Sequence, residues 1–215
     1  QTYQLAGWID DQPPILLASN PPATATVREA NAIEVFFGEA VTNVDAGDLL
    51  INGVPASSLT VVAPDRYIFG VSSPRAGPVQ VAWSEHHGIT DRASLANPFT
   101  GRGWAYQFAP DAPPPKVIIS EFMASNHRTL RDEDGETSDW IELRNLGSIA
   151  ENLSGWFLTD RAKNPTLWKF PPGVVLAPND HLVVFASEKN RLGNPLHTNF
   201  KLTAGGEYLA LVQPD

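Results

Sequence analysis

Residues 139–160 read DWIELRNLGSIAENLSGWFLTD. Ile141 and Leu143 alternate with Trp140, Glu142 and Arg144, the period-2 pattern of a half-buried strand. Asn145-Leu146-Gly147-Ser148 then supplies turn chemistry. Leu153, Trp156 and Leu158 resume the apolar pattern, and Gly155 interrupts it, which marks a bulge or a close backbone approach. The stretch predicts strand, turn, strand, and it carries no catalytic motif.

Working outward, Asp139-Trp140-Ile141-Glu142-Leu143 with Asn145, followed by residues 152–160 (NLSGWFLTD), resembles the lamin-tail domain in its bacterial form. Further blocks follow in order. They are Trp168-Lys169-Phe170-Pro171, Val175-Leu176-Ala177-Pro178, LVVFAS at 182–187, NFKLT at 199–203 and GEYLAL at 206–211. The resemblance runs from about Lys116 to the end of the chain. It implies an immunoglobulin-like β-sandwich and no enzyme, because the family has no shared catalytic residues to carry over. Its pattern runs on to a further strand beyond Val212-Gln213-Pro214-Asp215, so a domain at 117–215 truncated at its C-terminus is expected.

Upstream the pattern is also that of strands. Ile15-Leu16-Leu17 ends at Asn20-Pro21-Pro22, because proline cannot donate to a ladder and restricts the residue before it. Ile33, Val35 and Phe37 alternate with Glu34 and Phe36. Leu49-Leu50-Ile51 leads into Asn52-Gly53, a strong hairpin signal. Leu59-Val61, Tyr67-Phe69-Val71, Val79-Val81-Trp83 and Trp104-Tyr106-Phe108 complete about seven short strands, the signature of a sandwich. Asn20-Pro21-Pro22-Ala23, residues 33–37 with Glu39-Ala40-Val41, Gly88-Ile89-Thr90-Asp91 with Ala96-Asn97-Pro98-Phe99, and Trp104-Ala105-Tyr106 resemble the bacterial Ig-like domains of S-layer and other surface proteins. Those domains commonly carry Gly-Ile-x-Asp-x-x-Gly-Asn. Here Ser94-Leu95-Ala96 replaces the glycine, so an altered turn is expected.

The fold expected is therefore all-β, with two tandem immunoglobulin-like β-sandwich domains at 13–109 and 117–215 joined by a Pro-rich linker at 110–116. A proline run favours extended, semi-rigid polyproline II. Residues 1–12 read as a strand or the remnant of a preceding module. The chain opens on Gln1, so both ends read as cuts through a larger protein.

Composition excludes several functions. Asp and Glu number 24 against 15 Lys and Arg, a net charge of -9, and no basic run appears; phosphate-backbone binding needs clustered cations. Cysteine is absent, which removes disulfides, thiolate nucleophiles and Cys-based zinc sites. No apolar run approaches the roughly 20 residues of a membrane span. Neither a Gly-x-Ser-x-Gly elbow nor a Gly-rich phosphate loop is present.

Four features remain as candidates. Asp132, Glu133, Asp134, Glu136 and Asp139 surround Gly135 just before the organising strand. Hard oxygen ligands at short spacing suit calcium, with Asp132, Asp134 and Asp139 as ligands, though the spacing is not that of an EF-hand. The competing reading is a solvated acidic loop whose Asp and Gly serve turns. His86-His87 with Glu85 and Asp91 could ligate a metal only from a loop, since adjacent strand residues face opposite sides, so the simpler reading is surface histidines beside a Gly turn. His127 precedes the acidic loop, where Ser125 and Asn126 already serve turns. Trp140 reads as an exposed platform for a sugar or partner, or as a ring packed under the acidic loop.

The function these readings imply is non-catalytic: a structural, adhesion or spacer segment of a larger bacterial surface or secreted protein. Any catalysis would lie outside this chain. The alternative is a carbohydrate- or cell-wall-binding accessory module of an extracellular enzyme, calcium-stabilised, using Trp140 and the acidic loop. Partners would be neighbouring surface domains or a glycan. Nucleic acid is disfavoured by charge.

Overall fold

A computed structural model describes residues 9–72 and 74–214. The strand expected within residues 1–12 falls largely outside the described residues, and residues 9–15 form no strand. Contacts divide the chain into two compact units, Gln1–Ala23 with Arg28–Pro110, and Thr24–Val27 with Asp111–Asp215. Residues 109–116 form neither helix nor strand. Among the described residues no helix is long and apolar enough to cross a membrane.

Strands of the N-terminal half are β1 (Leu16–Asn20), β2 (Thr26–Val27), β3 (Ala32–Phe37), β4 (Val41–Thr42), β5 (Leu49–Ile51), β6 (Val54–Pro55), β7 (Ser58–Ala63), β8 (Arg66–Gly70), β9 (Gly77–Trp83), β10 (Thr90–Asp91) and β11 (Trp104–Phe108). All but β2 belong to the first unit. One sheet runs β1-β3-β8-β7; β11, β9, β5 and β6 pair antiparallel in that order; β4 and β10 form a short pair. The alternating residues become the core: Ile33, Val35 and Phe37 of β3, Tyr67 and Phe69 of β8, and Val79, Val81 and Trp83 of β9 are buried. Phe99 packs edge-on against both Phe37 and Trp83, with ring centroids 5.2 and 5.0 Å apart. The Asn52-Gly53 signal holds, with φ of 50° and 80°. The Asn52 Oδ1 then accepts from the Gln80 N–H at 2.8 Å, tying the hairpin to β9.

The turn where Ala96 stands in place of glycine is built on Asp91. Asp91, almost wholly buried, accepts from the N–H groups of Ala93 and Asn97 and from the Asn97 side-chain amide. To close that loop Ala96 adopts φ 48°, the left-handed region where a Cβ costs about 1–2 kcal/mol. Ala96→Gly is expected to stabilise the first unit by about 0.5–1 kcal/mol, readable as a raised denaturation midpoint at unchanged m.

The second unit contains β2 and β12 (Val117–Met123), β13 (Asp139–Asn145), β14 (Glu151–Asn152), β15 (Phe157–Thr159), β16 (Trp168–Lys169), β17 (Val175–Leu176), β18 (His181–Ala186), β19 (Leu196–His197) and β20 (Ala210–Val212). One sheet runs β12-β13-β18-β19, with β19 parallel to β18, and another runs β16-β15-β20. β14 pairs antiparallel with β17 and parallel with β2. Ile141, Leu143, Leu153, Trp156, Leu158, Trp168, Phe170 and Val184 form one buried cluster. Both units are β-sandwiches of the immunoglobulin-like class.

The organising stretch departs from a plain strand-turn-strand. β13 pairs with β12 and β18, while the returning segment splits into β14 and β15, which join other strands. The split falls at Gly155, whose φ of 86° permits the turn from Leu153 to Trp156. Asn145 closes the first turn from inside: fully buried, its amide donates to the carbonyls of Ile149 (2.7 Å) and Leu176 (2.9 Å), and its Oδ1 accepts from Gly147 N–H (2.8 Å).

Candidate functional site

The acidic loop enters β13, and β13 pairs antiparallel with β18 so that Asp139 faces Ala186. That register places the residues before Asp139 beside those after Ala186, namely Ser187, Lys189 and Arg191. Asp132 is the hub. Its Oδ1 accepts from the N–H groups of Asp134 (3.1 Å) and Glu136 (2.9 Å), an Asx-type turn completed by Gly135 at φ 78°. Its Oδ2 accepts from Ser138 Oγ (2.9 Å) and from Lys189 Nζ (2.6 Å).

Lys189 serves three carboxylates at once. Its Nζ also lies 2.6 Å from Asp134 Oδ2 and 3.0 Å from Glu136 Oε2. Arg191 meets Glu133 Oε1 at 2.6 Å and Asp134 Oδ2 at 2.8 Å. His197 Nε2 lies 2.8 Å from Glu133 Oε2. Asp132, Glu133, Asp134 and Glu136 therefore converge on Lys189 and Arg191, cations supplied by the chain itself, in charge-assisted geometry.

Burial alone would push the Asp132 carboxyl up. The bonds from Lys189, the Glu136 N–H and Ser138 outweigh it and hold the group down at about 2. Glu133 is likewise held low, since its bonds to Arg191 and His197 more than offset desolvation. Asp134 is lowered by Arg191 and then Lys189. The Lys189 ammonium is raised, its carboxylate partners overcoming desolvation. Because Asp132 titrates lower folded than the roughly 3.9 of an unfolded aspartate, its stabilising contribution is complete above pH 4 or so and is lost as pH falls toward 2. Thermal unfolding followed across that window should show the decline, and Asp132→Asn should flatten it.

Of the expected ligands, Asp132 and Asp134 come together, with Glu136 completing the group in the place given to Asp139. Asp139 turns elsewhere: its Oδ1 accepts from Asn126 N–H at 2.9 Å. Asn126, rather than His127, orders the preceding turn. Its Oδ1 accepts from Thr129 N–H and Oγ1, and its amide donates to the carbonyls of Leu130 and Ser138. The reading of Trp140 as an exposed platform is corrected. The residue is 6 % exposed, on the opposite face of β13 from Ile141 and Leu143, and its indole N–H donates to Thr129 Oγ1 at 3.3 Å. His86 is exposed, whereas His87 packs near Trp83 and Phe99; Asp91 groups with Asp10 and Glu39 instead of the histidines. Sequence reasoning missed Lys189, Arg191 and His197, which reach the loop from more than fifty positions away, and Ser187, which bonds His197. Only the β13–β18 register could have revealed them.

Residues 110–215 match the family model of the Lamin Tail Domain. Among solved structures the chain is similar to CopC from Methylosinus trichosporium OB3b, at 15% identity and TM-score 0.36, over 47% of this chain and 98% of that one. It is also similar to the S-layer protein rSbsC(31-844), at 12% identity and TM-score 0.34, over 79% of this chain but only 32% of that one. The N-terminal part of the bacterial S-layer protein SbsC gives 13% identity and TM-score 0.35, over 79% of this chain and 39% of that one. Among curated proteins none matches.

Proposed function

We propose that this chain is a structural or spacer segment of a larger bacterial surface or secreted protein, in which rigid sandwiches position neighbouring domains. The observation that carries this reading is the closed cage. The most ligand-like cluster in the sequence is engaged by Lys189, Arg191 and His197, which fasten a long loop to the sheet edge. The lamin-tail match of the second unit agrees with an accessory module. Trp140, one of the two features the glycan-binding alternative used, is buried, which favours the spacer reading.

The same geometry bears on calcium. The Lys189 ammonium sits where Asp132, Asp134 and Glu136 converge, so an entering divalent ion must displace it. Calcium or a chelator is expected to leave the melting temperature of the second unit unchanged; a rise on adding calcium would show a site that outcompetes the ammonium. The functional reading itself is tested on the source organism, by antibody labelling of intact cells and the mass of the native protein. Labelling from outside or recovery in the secreted fraction, on a polypeptide larger than this chain, is the expected result. A cytosolic protein of this chain's own mass would overturn it.

A further inference from the structure

One part of the cage is not needed to neutralise the loop. β19 runs parallel to β18 with Phe185 beside His197, and the imidazole stacks on the Phe185 ring at 5.2 Å. Ser187 lies two residues beyond Phe185 and so returns to the same face. Its Oγ is 2.7 Å from His197 Nδ1, while His197 Nε2 is 2.8 Å from Glu133 Oε2. The His197 side chain is fully buried, and Glu133 is itself fixed by Arg191.

The hydrogen-bond chain assigns the tautomer. Glu133, a carboxylate already paired with Arg191, accepts from Nε2–H. Lys189 N–H donates weakly to Ser187 Oγ at 3.3 Å, so the serine directs its own O–H to the bare Nδ1. This is the constellation of an activated nucleophile, base and orienting carboxylate, with the two ring nitrogens exchanged relative to the common arrangement. Ser187 also lines a surface recess of about 300 Å³, together with Ser138, Thr137, Glu136, Asp139 and Lys201.

We propose that Ser187 is an activated nucleophile and a site of covalent acylation by carboxylic esters that enter this recess, a property beyond the spacer reading. Ser187 Oγ adds to the ester carbonyl as its proton passes to His197 Nδ1. The ester C–O bond then breaks, the alcohol leaves with that proton, and an acyl-serine remains.

The probe is p-nitrophenyl acetate, with peptide mass spectrometry locating the acetyl group on the folded chain. Ser187 is expected to acetylate about 100-fold faster than Ser57, an exposed serine without a base. Ser187→Ala removes that adduct. Glu133→Gln, a loop substitution that preserves shape, is expected to slow Ser187 labelling about tenfold or more while leaving Ser57 unchanged. If Ser187 reacts no faster than Ser57, or if Glu133→Gln leaves its rate unaltered, the relay is only a structural hydrogen-bond chain and the proposal fails. Neither result depends on where in the cell the protein resides.

Discussion

Replacing Lys189 with methionine is expected to destabilise the second unit by about 3 kcal/mol. The substitution keeps most of the aliphatic stem and removes the ammonium, leaving the Asp132 carboxylate, whose side chain is fully buried, without its counter-ion. Removing one partner of a buried pair costs about 3–5 kcal/mol, because the remaining charge is stranded in a poor dielectric. The lower end applies here, since Asp132 keeps two backbone N–H donors and the Ser138 hydroxyl. For a domain of this size the melting temperature should fall by roughly 10–20 °C. Arg191→Met should do far less, because Arg191 is 45% exposed and its pairs with Glu133 and Asp134 are screened by solvent.

The second large effect is expected at Asn145. Asn145→Ala deletes an amide that satisfies the carbonyls of Ile149 and Leu176 and an oxygen that holds Gly147 N–H. Each buried group left without a partner costs about 1–3 kcal/mol, and the two carbonyls together make about 2–4 kcal/mol the expected loss. Asn145→Asp is not conservative there, because a carboxylate cannot donate to either carbonyl. Denaturant unfolding reads both variants, and a loss under about 1 kcal/mol for Asn145→Ala would mean that water reaches the turn.

These two residues also show what the sequence could reveal. Local patterns carry local information. The alternation of Ile33, Val35 and Phe37, the Asn52-Gly53 signal and the Ile141–Leu143 period each appear as the expected strand or hairpin, because side-chain periodicity and turn chemistry act over a few residues. The course of residues 151–160 was less legible. Leu153 and Leu158 are both buried as expected, yet the turn at Gly155 leaves Leu153 outside any strand and Leu158 in β15, and pairing partners are not encoded locally. The site was half legible. The carboxylates of residues 132–139 announced a cation, but the cations proved to be Lys189 and Arg191, brought in by strand register. Trp140 stood in a half-buried pattern whose second face could not be judged without the loop that covers it.

The acidic loop is a lock closed by the chain's own cation. A double-mutant cycle on Asp132→Asn and Lys189→Met, measured by denaturant unfolding at neutral pH, tests it most directly, since the asparagine retains shape and backbone acceptance while removing the charge. A coupling of at least about 1 kcal/mol, with the double variant less damaged than the sum of the singles, is the predicted result. Additivity within about 0.5 kcal/mol would contradict the account and return the loop to the status of a solvated acidic turn.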